Sequence, residues 1–126
     1  MEKIKVNSGD IISECLILVG LAELNSKVKN EVIKNELKKL IIEEMGKINN
    51  IVTMIAVGRA EVGGEVVEDG VEGSEFWHSC SVILKLIKAY NNEQDDEKKG
   101  KLRAMLLIAV TASLGSIYES VIKNEP

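Results

Sequence analysis

The residues able to do chemistry in this chain fall into a few groups, and their spacing limits what each can do. Acids crowd the middle of the sequence: Glu61, Glu65, Glu68, Asp69, Glu72 and Glu75. On a hairpin, Glu61 and Glu65 would share related faces with Arg59 and could hold a divalent cation weakly. The alternating Asp or Asn ligands and closing Glu of a calcium loop are missing. Cys15, His78 and Cys80 are the soft ligands and the nucleophile candidates. Two residues apart on one helix, the side chains of His78 and Cys80 diverge by about 200°, which denies them a shared zinc ion and a hydrogen-bonded thiolate pair. A Cys15–Cys80 disulfide would require the first and third helices to touch.

Gly63-Gly64-Glu65 puts an acid where a phosphate-binding loop needs a base, and no Lys-Ser or Lys-Thr follows it. The basic cluster Lys98, Lys99, Lys101 and Arg103 is the patch suited to a phosphate backbone, by Coulombic contact without base readout. Glu93, Asp95, Asp96 and Glu97 precede it and oppose that use. Glu43-Glu44 is similar to the paired-glutamate helix motif of the all-helical nucleotide pyrophosphohydrolases. Lys47 stands where that motif has its third acid, so the expectation is no catalytic residue, no metal site and no cofactor.

The elements that must carry these residues are mostly helices. The organising one is Glu31 to Val57, with apolar residues at Ile33, Leu37, Leu40, Ile41, Met45, Ile48, Ile51, Val52 and Ile55 in steps of three and four. Such a rod is about 40 Å long. Before it, Asn7, Ser8 and Asp10 offer caps for a helix over about Asp10 to Leu24. That helix is apolar almost all round between Cys15 and Ala22, the pattern of a bundle centre or a subunit contact. Leu16, Ile17 and Leu21 are therefore expected at an interface, and Gly20 at a close approach of another backbone.

After Gly58 the period changes. Arg59-Ala60-Glu61-Val62, Gly63-Gly64 and Glu65-Val66-Val67-Glu68 read as a small β-hairpin inserted at about 59–72, projecting and mobile, to which Lys3-Ile4-Lys5-Val6 could add a short strand. The competing reading is a disordered acidic loop, which Gly58, Gly63, Gly64, Gly70 and Gly73 also favour. Ser74 caps a helix to about Tyr90 with Phe76, Trp77, Cys80, Ile83, Leu84, Ile87 and Tyr90 inside. A last helix starts between Asp95 and Lys101 and runs to about Lys123, with Leu102, Met105, Leu106, Ala109, Val110, Leu114, Ile117 and Val121 inside.

Length and composition set the class. With 126 residues, one Phe, one Trp and two Tyr, the chain suits one domain with an aliphatic core, and stacking on bases is disfavoured. No apolar leader opens the sequence, and the longest apolar runs, Cys15 to Ala22 and Met105 to Val110, are far short of a bilayer span of roughly 20 residues. The expectation is a cytoplasmic, mainly α, four-helix bundle-like domain with no membrane partner. Its expected role is a non-catalytic interaction or assembly subunit, either a homo-oligomer or part of a larger complex.

The alternative is the small helical subunit of a nucleoprotein complex that contacts nucleic acid through Lys98, Lys99, Lys101 and Arg103. In size and helices-plus-hairpin layout, without a shared motif, the chain resembles small subunits of archaeal RNA-guided CRISPR-type effector complexes. A metal-dependent enzyme using the carboxylates is the third reading.

Overall fold

The computed structural model describes residues 2–66 and 73–123. The order is β1 (Ile4–Asn7), α1 (Ser8–Lys27), α2 (Glu31–Ala56), β2 (Ala60–Gly63), α3 (Glu75–Asn92) and α4 (Asp96–Tyr118), with α4 ending in a π-helical turn, Glu119–Lys123. The fold is mainly α, with four helices and a small two-stranded sheet.

Each helix starts where a polar side chain takes over an orphan amide. The Asn7 side chain accepts from the Gly9 amide at 2.7 Å, Asn30 from Val32 and Ile33, Ser74 from Trp77 and Asp95 from Lys98. The long middle helix is one element, with no break at Gly46 or Asn49-Asn50. Its inner stripe is Leu37, Ile41, Met45, Ile48, Val52 and Ile55, whereas Ile33 and Leu40, expected inside, are exposed. They sit at the edge of a stripe that meets α1 on one side and α4 on the other.

Helices α1 and α4 each pack on both α2 and α3, so α1 and α4 occupy diagonal corners of the bundle. One continuous core joins them, with Ile11, Cys15, Leu18 and Val19 from α1, Cys80, Ile83, Leu84 and Ile87 from α3, and Leu106, Val110 and Ile117 from α4. The interior is mostly aliphatic, with Trp77 and Tyr90 as its buried aromatics.

The N-terminal strand does join the segment after Gly58. β1 and β2 pair in parallel, Ile4 opposite Ala60 and Val6 opposite Val62, and the α1–α2 pair forms the crossover that parallel strands require. Gly63-Gly64 turns the chain without starting a return strand at Glu65 and Val66. Gly64, at φ 88°, brings the Glu65 carbonyl to the Ser8 hydroxyl, which donates to it at 2.9 Å. The rest of the expected hairpin, with Val67, Glu68, Asp69 and Glu72, lies outside the described residues. The expected projection does not hold for the part that is described, because Ala60, Val62 and Val66 are buried in the core.

Candidate functional site

The helix ends and the sheet bring a basic corner together. Asp95 caps α4 and Asp96 and Glu97 fill its first turn, which satisfies the helix dipole ahead of the four bases. Three of those bases have partners within the chain. Lys101 pairs with Glu97 at 3.9 Å, the Lys99 ammonium lies 4.7 Å from the Tyr90 ring centre, and Arg103 donates from Nε to the Tyr90 hydroxyl at 3.2 Å. Lys98 is exposed.

Beside this corner the sheet adds two lysines. Lys3, Lys5, Lys99, Tyr90, Asn91 and Glu61 line an open groove of about 390 Å³ between β2 and the end of α3. The Lys-Ile-Lys-Val alternation marked a strand in the sequence, but only the parallel pairing with β2 sets Lys5 beside Glu61 and the pair near Lys99.

The α1 residues expected at an interface divide. Leu16 and Ile17 are exposed at 40 and 46 %, while Leu21 is half-buried against the core and Leu24 takes the outer position at 49 %. Gly20 lies among them, and a Cβ there would meet nothing within 4 Å, so no other described backbone approaches it.

The second such surface is on α4. No charged residue occurs between Arg103 and Glu119. Met105, expected inside, is 48 % exposed, beside Ile108 at 69 %. The stretch Asp96–Lys123 contains an 18-residue window of mean hydropathy 1.7, apolar and long enough by length and composition to cross a membrane, with 33 % of it buried in the bundle. Counting apolar runs missed it because Thr111, Ser113, Gly115 and Ser116 interrupt the runs without adding charge.

Cys15 and Cys80 are both fully buried where α1 meets α3, and they are free thiols. Hydrogen bonding to Cys80, reinforced by burial, pushes the Cys15 thiol up and keeps it protonated. His78 is exposed and faces a groove of about 300 Å³ with Glu75, Ser79, Ser116 and Ser120. The Ser79 hydroxyl donates to the Glu75 carbonyl of its own helix, at 3.5 Å. Glu61 and Glu65 are exposed. Among the described residues, no three His, Cys, Asp or Glu side chains converge on a point that could hold a metal ion.

Of the Glu43-Glu44 pair, the second carboxyl is buried, which its sequence context did not show. Glu44 is 7 % exposed, and burial followed by its contact with Glu14 raises its pKa from 4.5 to about 7, against the opposing pull of Lys47 at 3.4 Å. Glu14 and Glu44 lie on different helices, so no local spacing could reveal the pair. Set against known proteins, the chain matches no family model, no curated protein and no solved structure.

Proposed function

We propose that this chain is a helical assembly subunit that acts by self-association through the outer faces of its bundle. One observation carries the reading: α1 and α4, at diagonal corners, both present aliphatic side chains outward, Leu16, Ile17 and Leu24 on one and Met105, Leu107 and Ile108 on the other. Scattered exposed apolar residues are ordinary. Rows of them along a helix that already has a buried face mark contact surfaces. Because the two faces lie on different helices of the bundle, a chain that uses both builds assemblies larger than a dimer.

Sedimentation of the purified chain tests this. The expected result is a mass above the dimer, reduced by Leu16→Glu with Ile17→Glu while the helical circular dichroism stays unchanged. A monomer at roughly 100 µM, about the dissociation constant expected of a free energy near −5.5 kcal/mol, would overturn it.

A second reading has its own observation. Lys3 and Lys5 join Lys99 around one groove, with Lys98 exposed nearby, which makes a basic surface larger than the α4 cluster alone. A nucleoprotein subunit would lay a phosphate backbone there, with affinity falling steeply as salt rises. Retention of single-stranded RNA and DNA at low salt, lost on changing Lys3, Lys5, Lys98 and Lys99 to Gln, would support it. No retention at any salt would remove it.

A further inference from the structure

The outer stripe of α4 has an order that its composition alone does not require. At about 100° per residue, Lys101, Met105, Ile108, Ala112, Gly115 and Glu119 fall within about 40° of one line along the helix. The core residues Leu106, Val110, Leu114 and Ile117 lie on the opposite side. All six stripe residues are exposed. Along the stripe a base comes first, then two large apolar side chains, then two small residues, then an acid. Among the described residues a Cβ at Gly115 would meet nothing within 4 Å, so its smallness serves no contact with them.

We infer that two copies of the chain pair through this stripe, α4 antiparallel to α4, about a two-fold axis level with Val110. An isologous contact sets each residue against the one equally far on the other side of the axis. Met105 then faces Gly115 of the second copy, Ile108 faces Ala112, and Lys101 faces Glu119. Each large side chain meets a small one and each base meets an acid, twice over by symmetry. The intrahelical pairs Lys101–Glu97 at 3.9 Å and Lys123–Glu119 at 3.4 Å then lie at the two ends as alternating charge quartets. A parallel pairing would set Lys101 on Lys101, Glu119 on Glu119 and Ile108 on Ile108, with repulsion at both ends and a gap at Gly115.

Small residues let two helix backbones approach closely, and large ones opposite them fill the space left open. A lipid surface would also accept Met105 and Ile108. It would not use the opposition of Lys101 and Glu119, so the charge and size order favours a second copy.

The inference rests on the assembly reading, and the experiment separates the two. Leu16→Glu with Ile17→Glu removes the α1 contact and leaves the α4 contact to be read alone, by sedimentation. That variant is expected to be a dimer, and adding Ile108→Glu is expected to make it a monomer of unchanged helicity. In the same background Lys101→Glu sets acid against Glu119 and should weaken the dimer several-fold. Lys101→Glu with Glu119→Lys should restore it, because the pair is reversed and not lost. If the α1 variant is already a monomer, the α4 inference is overturned and assembly through α1 stands. A dimer indifferent to Ile108→Glu also overturns it, as does weakening by Lys101→Glu that Glu119→Lys fails to rescue. A wild-type monomer that floats with phosphatidylcholine vesicles would overturn both readings in favour of a lipid contact.

Discussion

The Ser74 hydroxyl donates to the Glu23 carboxylate at 2.7 Å and so ties the start of α3 to the end of α1. The same oxygen accepts the Trp77 amide at 3.2 Å, which makes it cap and cross-link at once. Ser74→Ala removes both and is expected to cost about 1–2 kcal/mol, read as a lower denaturant midpoint. Glu23→Gln keeps the cap and should cost less. Equal losses from the two changes would show that the cap contributes nothing.

The pH dependence of stability should follow Glu44. Its folded pKa, about 7, lies above the ordinary 4.5, so the folded state holds a proton that the unfolded chain has released across that window. The stabilisation is fully present below about 4.5 and is lost as pH rises through about 7, with a slope of at most about 1.4 kcal/mol per pH unit. Glu44→Gln should flatten this part of the curve and equal or exceed the wild type at pH 8. Urea melts between pH 5 and 8 would show it, and a wild-type curve that rises with pH would contradict it.

The paired thiols should be inert. The hydrogen bond with Cys15 lowers the pKa of the Cys80 thiol while raising that of Cys15, but both are fully buried, so a thiol reagent should label them only at the rate of unfolding. In denaturant both should react at once. Prompt labelling of either in native buffer would mean that the α1–α3 crossing opens on its own.

Gly64 holds the turn that leaves β2. At φ 88° an added Cβ is strained, and it would come within 2.8 Å of the Ser8 hydroxyl that binds Glu65. Gly64→Ala is expected to cost more than about 1 kcal/mol, by a combination of backbone strain and a displaced hydrogen bond. Gly20→Ala, on an exposed helical surface with nothing within 4 Å, should instead stabilise the isolated chain by up to about 1 kcal/mol.

The helices were legible in the sequence because their determinants are local. Asn7, Ser74 and Asp95 each sit one residue before a helix that begins where their side chains can reach its first amides, and the three- and four-residue steps from Leu37 to Ile55 orient α2 without reference to anything else. Orientation was not legible for α1, whereas Leu106, Val110, Leu114, Ile117 and Val121 of the stripe read for α4 are buried and Met105 is the exception. A helix apolar nearly all round carries no signal for which side faces in, so only the packing of α1 against α2 and α3 decided that Leu18 is buried while Leu24 is exposed. The sheet shows the same division. Alternation marked Ile4 and Val6 as strand residues, but the parallel partner more than fifty residues away, the Glu14–Glu44 contact and the gathering of Lys3, Lys5 and Lys99 around one groove depend on where the α1–α2 crossover returns the chain. Local spacing carries no information about that return, because it is set by which surfaces of the helices bury each other.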